Sequence, residues 1–136
     1  MVDSKRSIRI LLAKPGLDGH DRGIKVLAQG LKNEGMEVIY SGRRQKAQDI
    51  VARALDEDVD VIGISSLSGA HNQYFPRVAE LLAERNRTDI MIIGGGIIPD
   101  EDVGYLLGKG ITAIFGPGTH IAKIADFIRA NVRDLS

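Results

Sequence analysis

Five short apolar runs alternate along the chain with five longer stretches of helical periodicity, and this alternation limits the fold more than any other feature. The runs, such as Ile8-Arg9-Ile10-Leu11-Leu12-Ala13, are nearly continuous in apolar residues, which is typical of strands covered on both faces of a parallel sheet. Strands are predicted near residues 8–13, 36–40, 59–65, 90–94 and 112–115, and helices near residues 22–34, 46–57, 74–86, 100–109 and 119–131. This order predicts an α/β fold with a single five-stranded parallel sheet.

Right-handed crossovers between parallel strands favour a doubly wound sheet of flavodoxin-like (Rossmann-like) order. Several residues also indicate where helices begin and end. Gly35 is a typical stop for the first helix, and Pro99 followed by three acidic residues is a typical start for the fourth. Thr119 is a suitable N-cap for the fifth helix, because its hydroxyl can accept from a free backbone N–H. The apolar residues of the first helix predict a buried stripe that contains Val26, Leu27, Ala28 and Leu31.

The composition predicts one globular domain over residues 1–136. The chain is 43% hydrophobic and 26% charged, and its 18 basic residues balance its 18 acidic residues. This balance gives no electrostatic basis for binding nucleic acid or a membrane surface. The absence of cysteine excludes disulfides, thiolate nucleophiles and cysteine-ligated metal sites. The first seven residues are mostly polar and lack the apolar stretch of a signal peptide, and no apolar run approaches the ~20 residues of a membrane span, so a cytoplasmic location is expected.

A glycine-rich loop carries a histidine directly after the first predicted strand. It reads Lys14-Pro15-Gly16-Leu17-Asp18-Gly19-His20-Asp21-Arg22-Gly23. A histidine that ligates a metal usually donates its other ring N–H to a carboxylate, and Asp18 stands two residues before His20. The segment therefore has the composition of a metal-ligand loop, with a solvated or N-capping histidine as the alternative.

Two further motifs follow other predicted strands. Ser65-Ser66-Leu67 comes after the apolar run of residues 59–64, and Gly94-Gly95-Gly96 comes after the apolar run of residues 90–93. All three motifs are thus expected at the carboxyl ends of parallel strands, where open α/β sheets bind ligands. The set Asp18-x-His20-x-x-Gly23, Ser65-x-Leu67 and Gly95-Gly96 resembles the cobalamin-binding (B12-binding) domain family over nearly the whole chain.

The resemblance implies roles for these residues. His20 would be the lower axial ligand of cobalt, in place of the base of the cofactor's nucleotide tail. Asp18 would accept from the other ring nitrogen of His20, and Lys14 would pair with Asp18; an ordinary solvated cation is the alternative for Lys14. The tail would occupy a slot lined by small residues, in which the Ser65 hydroxyl bonds a base nitrogen. The expected cofactor-binding residues are Gly19, His20, Asp21, Arg22, Gly23, Leu27, Ser65, Leu67, Gly69, Gly95, Gly96, Phe115, Gly116 and Thr119.

Some of these residues have simpler alternative roles. Gly69 and Gly94 to Gly96 are also suited to loops that need positive φ, Leu67 to the core, and Thr119 to helix capping. His71 and His120 match no ligand position and are predicted to be solvated.

The sequences of the same loops argue against three other kinds of domain with a similar parallel sheet. A receiver domain needs an aspartate at the end of its third strand, where this chain has Ser65, whereas Asp60 lies at the beginning of that strand. A dinucleotide-binding domain needs Gly-x-Gly-x-x-Gly after the first strand, and the loop there does not supply it. A flavodoxin needs a hydroxyl-rich phosphate loop, but residues 14–23 contain no Ser or Thr.

Within the family, the amino-acid sequences of these loops closely resemble those of acyl-CoA mutases of the methylmalonyl-CoA, isobutyryl-CoA and 2-hydroxyisobutyryl-CoA types. The resemblance implies a small subunit that binds adenosylcobalamin and is inactive alone. A separate (β/α)₈ barrel, the large subunit, would bind the acyl-CoA substrate, whose carbon skeleton is rearranged by radical chemistry. The alternatives are a corrinoid methyl carrier of a methyltransferase system, a glutamate-mutase-type small subunit and a cobalamin storage or delivery module.

Overall fold

The computed structural model describes residues 6–15, 22–66 and 71–133. Within these ranges a parallel sheet has the strand order β2-β1-β3-β4-β5, which confirms the expected flavodoxin-like α/β fold. Strands and helices alternate in the order β1 (Arg9–Pro15), α1 (Arg22–Asn33), β2 (Glu37–Gln45), α2 (Ala47–Asp56), β3 (Val61–Ser66), α3 (His71–Glu84), β4 (Met91–Gly96), α4 (Asp100–Leu107), β5 (Ala113–Phe115) and α5 (Ile121–Asn131). None of these helices is long and apolar enough to cross a membrane.

The sheet separates two apolar layers because alternate residues of each strand face opposite sides. In β3, Val61 packs in the layer formed with α1 and α5, whereas Ile62 and Ile64 pack in the layer formed with α2, α3 and α4. The neighbouring strands keep the same register, with Val61 beside Ile10 on one side and Met91 on the other. Because of this alternation, only residues that face the same side of the sheet can line the same cavity at the ends of the strands.

The helix ends agree with the turn signals of the sequence. Gly35 has φ +90° and its N–H donates to the carbonyl of Lys32, while the N–H of Met36 donates to Leu31, so α1 ends in this turn. Pro99 precedes α4, whose first turn holds Asp100, Glu101 and Asp102. Negative side chains at this position stabilise the positive end of the helix dipole.

Several local predictions were wrong. Strands β1 and β2 extend to Pro15 and Gln45, and their register shifts after Leu12. Strands β3 and β4 extend to Ser66 and Gly96, so Ser66, Gly95 and Gly96 belong to the ends of the strands and do not follow them. Val26 is 58% exposed, and the buried face of α1 consists of Ile24, Ala28 and Leu31. Ala28 and Leu31 are buried as predicted and Leu27 is half-buried against the same core, so the error is confined to Val26, whose expected place in the buried face is taken by Ile24.

Thr119 is not the N-cap of the last helix. His120 occupies that position, and the Thr119 hydroxyl donates to the carbonyl of Gly116 at 2.8 Å. This hydrogen bond closes the turn between β5 and α5.

A buried carboxylate joins distant parts of the chain at the amino edge of the sheet. Asp60 lies just before β3, and its side chain is fully buried. It accepts from Arg6 at 2.6 and 2.7 Å, from the backbone N–H of Arg9 at 2.8 Å and from Nε of Arg133 at 2.9 Å. Burial raises the pKa of Asp60, but the combined effect of these hydrogen bonds in lowering it is larger. The pKa of Asp60 therefore lies below its ordinary value.

Candidate functional site

A cleft of about 550 Å³ opens at the carboxyl edge of the sheet, between the start of α1 and the start of α5. Its floor is formed by the last residues of β3 and β4, and the turn between β5 and α5 closes one side. This volume lies within the range of about 300–1,000 Å³ that is typical of small-molecule sites. The lining is mainly apolar, with the few polar groups supplied by Arg22, Ser65 and Thr119.

The cleft exists because small residues face the α1 and α5 side of the sheet at this edge. Gly63 and Ser65 share this face with Val61, and Gly95 shares it with Ile93. Larger side chains at these positions would fill the space below the two helices. Helices α1 and α5 approach each other closely at Gly30, where an added Cβ would lie only 2.5 Å from Cδ1 of Ile121.

The three consecutive glycines at the end of β4 have three different surroundings. A Cβ at Gly94 would lie 2.7 Å from the ring of Phe75, on the face away from the cleft. Gly96 has φ +114°, and a Cβ there would overlap the backbone of Ser66. Gly95 has neither constraint, since a Cβ there would make only an ordinary 3.4 Å contact with the carbonyl of Phe115. Core and backbone packing therefore explain glycine at 94 and 96, whereas at 95 the absent side chain leaves room in the cleft.

Lys14 is buried at the end of β1, so its interpretation as a solvated cation was wrong. Its side chain is 0% exposed, and Nζ lies 3.3 Å from the carbonyl oxygen of Ser65 and 3.4 Å from its hydroxyl. A buried ammonium needs polar partners to offset the loss of water. Ser65, at the end of the neighbouring strand, is one such partner and also lines the cleft.

The structure brings the predicted cofactor-binding residues together as far as it describes them. All of those in the described ranges line this one cleft: Arg22, Gly23, Leu27, Ser65, Gly95, Gly96, Phe115, Gly116 and Thr119. Phe115 is held in place by an edge-to-face contact with Phe127, with ring centroids 5.5 Å apart. Asp18, Gly19, His20, Asp21, Leu67 and Gly69 lie outside the described residues, so their roles stay predictions.

Comparison with known families accounts for this arrangement of motifs around one cleft. The sequence profile of the B12 binding domain matches residues 8–125. The chain belongs to this family.

Relatives of this B12-binding domain include proteins of equal and of much greater length. The 2-hydroxyisobutanoyl-CoA mutase small subunit of Aquincola tertiaricarbonis is 46% identical over 125 residues, which are 92% of each chain. Methylmalonyl-CoA mutase of Rhizobium meliloti is 42% identical over 86% of this chain, but the match spans only 16% of that protein. Among solved structures, a cobalamin-binding protein from Desulfitobacterium hafniense has a TM-score of 0.78 at 22% identity, covering 92% of this chain and 59% of that one.

The prediction that His71 is solvated was wrong, and it is the main feature of this B12-binding domain that sequence reasoning missed. The His71 side chain is 4% exposed, and its Nε2 lies 2.8 Å from Oδ2 of Asp102. Hydrogen bonds from His71 and from Asn72 hold the pKa of Asp102 below its ordinary value. A signal was present, because His71, Phe75, Val78 and Leu82 are spaced as one buried helical stripe. His120, in contrast, is exposed as predicted.

Proposed function

We propose that this chain is the cobalamin-binding small subunit of an adenosylcobalamin-dependent acyl-CoA mutase. The observation that carries the proposal is its 46% identity to a mutase small subunit, over 92% of both chains. The second support is the cleft at the edge of the sheet where α/β proteins bind ligands, because those predicted cofactor-binding residues that the structure describes line it.

The residues of the cleft fit the nucleotide tail of cobalamin. The tail ends in a flat heteroaromatic base on a ribose phosphate, so it needs a slot with apolar walls and a few hydrogen-bonding groups. Leu27, Phe115 and Ile121 supply apolar walls, and a Cβ at Gly23 or Gly116 would meet no atom within 4 Å. The space that these glycines leave open is therefore available to a ligand.

Ser65 is the residue best placed to recognise the buried base. The ammonium of Lys14 donates to the Ser65 hydroxyl oxygen, so the hydroxyl hydrogen is left to donate elsewhere. A base nitrogen taken out of water needs such a donor, because a buried polar atom without a partner is destabilising. Lys14 would thus orient Ser65 toward the cleft in addition to its inferred pairing with Asp18.

His20 would hold cobalt from below, with Asp18 accepting from its second ring nitrogen. A carboxylate partner fixes the tautomer and the orientation of a ligating imidazole. When bound, adenosylcobalamin supplies a carbon-centred radical through homolysis of its cobalt–carbon bond. The part of this chain in that reaction is to bind and orient the cofactor and to exclude water from its tail.

The acyl-CoA substrate would be bound by a large subunit with a (β/α)₈ barrel. The name of the relative from Aquincola tertiaricarbonis supports a second subunit, because it specifies a small one. The longer methylmalonyl-CoA mutases, of which this chain matches about a sixth, are consistent with a catalytic assembly much larger than this domain.

Electron paramagnetic resonance of bound cob(II)alamin tests the assignment of His20. We expect hyperfine structure from a histidine nitrogen, and the splitting should change when only the histidines carry ¹⁵N. Asp18→Asn should still bind cobalamin, but with affinity or activity reduced by about 10–100-fold, as is typical when the partner of a ligating histidine is lost. A splitting that is unchanged by histidine labelling would show that the ligand is not a histidine of this chain.

A further inference from the structure

We propose that His71 and Asp102 are positioning residues, a clamp that holds the ends of β3 and β4 in the geometry required by the nucleotide tail. This inference rests on the proposed cobalamin function. The clamp is the hydrogen bond between His71 Nε2 and Asp102 Oδ2, 2.8 Å long, which joins the first residue of α3 to the first turn of α4.

The two helices follow the two strands that end at the cleft. α3 follows β3, which ends with Ser65 and Ser66, and α4 follows β4, which ends with Gly95 and Gly96. The clamp therefore connects the segments that continue from Ser65 and Gly95, both of which line the cleft. Because Ser65 and Gly95 form part of the floor of the cleft, we expect a change in the positions of these segments to change the shape of that floor.

Backbone contacts show how closely the two segments are coupled. The chain after Gly96 stays paired with the end of β3, where the N–H of Ile97 donates to the carbonyl of Ser66 at 3.2 Å. The carbonyl of Pro99 then accepts from the N–H of Asp102 at 2.9 Å, which holds the backbone of Asp102 close to this pairing.

Burial makes the hydrogen bond of the clamp stronger than a surface contact. The His71 side chain is 4% exposed and the Asp102 side chain is 25% exposed, so water competes poorly for the imidazole. The His71 ring packs against Phe75, with centroids 6.3 Å apart, and Phe75 in turn covers Gly94 of β4. Among the described residues no group bonds His71 Nδ1, so Asp102 is the polar partner that holds the ring there.

A preformed slot raises the affinity for the tail, because a ligand binds more weakly when only a fraction of the protein is in the competent state. Loss of the clamp should lower that fraction. It should therefore weaken the binding of complete cobalamin much more than the binding of cobinamide, which lacks the nucleotide tail. A purely structural role would weaken the two ligands equally or leave both unchanged.

The experiment measures the dissociation constants of cobalamin and cobinamide for the full chain and its variants. Asp102→Ala removes the acceptor, and His71→Phe keeps a ring of similar size while removing the donor. Both should weaken cobalamin binding by about tenfold, the loss expected if the fraction of protein with a competent slot falls to about a tenth. Asp102→Asn keeps an acceptor oxygen and should restore most of the affinity.

Two controls separate the clamp from general effects. Glu101→Ala removes a neighbouring negative charge from the same helical turn, and we expect it to leave both dissociation constants unchanged. In the double variant His71→Phe/Asp102→Ala the loss should be close to that of either single variant, because residues that act through one contact are not additive.

The outcomes are distinct for the two proposals. If the unaltered chain prefers cobalamin to cobinamide and both clamp variants keep that preference, the clamp is refuted and the proposed function stands. Equal losses for the two ligands also refute the clamp. If the unaltered chain shows no preference for cobalamin, the tail site of the proposed function fails, and the clamp fails with it.

Discussion

Neighbouring glycines at the end of β4 should respond in opposite ways to substitution. Gly95→Val should fold, since a Cβ there makes only ordinary contacts, but it should bind cobalamin poorly because its methyl groups enter the cleft. Gly96→Ala should instead lower the free energy of unfolding, by about 1–3 kcal/mol for the left-handed backbone alone, with the overlap on Ser66 added. Chemical denaturation and cobalamin titration of both variants measure the two effects. Equal affinities of the Gly95→Val variant and the unaltered chain would contradict a tail site in this cleft.

At the scale of the elements, the amino edge of the sheet depends on the ionised form of Asp60. Its carboxylate, just before β3, binds Arg6 in the segment before β1, the backbone N–H of Arg9 at the start of β1, and Arg133 in the segment after α5. Because its folded pKa lies below the ordinary value of 3.8, its stabilisation is fully present above that pH and is lost as the pH falls through the lower folded pKa. Asp60→Asn should cost about 3 kcal/mol at pH 7, the lower end of the effect of breaking a buried ion pair.

Urea denaturation at a series of pH values checks this prediction. The difference in unfolding free energy between the unaltered chain and Asp60→Asn should be constant near neutral pH and should shrink below pH 3.8. Hydrogen bonds from Arg87 and Arg133 also lower the pKa values of Asp58 and Asp89, so the variant should keep part of its acid sensitivity. A difference that is independent of pH would show that the charge of Asp60 is not what stabilises this edge.

At the scale of the whole molecule, the cleft and two exposed apolar side chains share the carboxyl edge of the sheet. Val26 lines the cleft at 58% exposure, and Ile97 directly after β4 is 62% exposed. We therefore expect the large subunit to dock over this edge, with the corrin between the two chains. The purified chain should bind cobalamin but should not isomerise an acyl-CoA until the large subunit is added.

The test is to mix the chain with adenosylcobalamin and an acyl-CoA, with and without the large subunit, and to measure the isomerisation of the acyl-CoA. Cobalamin should also tighten the association of the subunits, and the effect should be reciprocal, because the coupling between two binding events is the same in both directions. Ile97→Lys should weaken subunit association without changing the affinity of the isolated chain for cobalamin. Turnover by this chain alone would contradict the role of a small subunit, and methyl transfer with a methyltransferase partner would indicate a methyl carrier.

Local sequence patterns were enough to predict the order of the elements and the edge of the sheet that carries the candidate site. Apolar runs and helical periodicity are local patterns, so they predicted every strand and helix of the described ranges to within about three residues at each end, except that β2 extends further, to Gln45. Ser65, Gly95 and Gly96 were identified as candidate site residues by their resemblance to the motif of the cobalamin-binding family, and the apolar runs before them placed them at the ends of β3 and β4. The position of these residues at the carboxyl edge then followed from the parallel sheet.

Only the tertiary structure decided which side chains meet. The pairing of His71 with Asp102 depends on α3 and α4 lying side by side, and no pattern within either helix specifies a contact across 31 residues. The burial of Lys14 against Ser65, like the exposure of Val26, depends on which strand or helix lies opposite. Three identical glycines at 94, 95 and 96 likewise differ only in what faces each of them: a ring, an open cleft and a backbone. Periodicity is encoded along the chain, whereas the contacts of a side chain are set by the elements that fold against it.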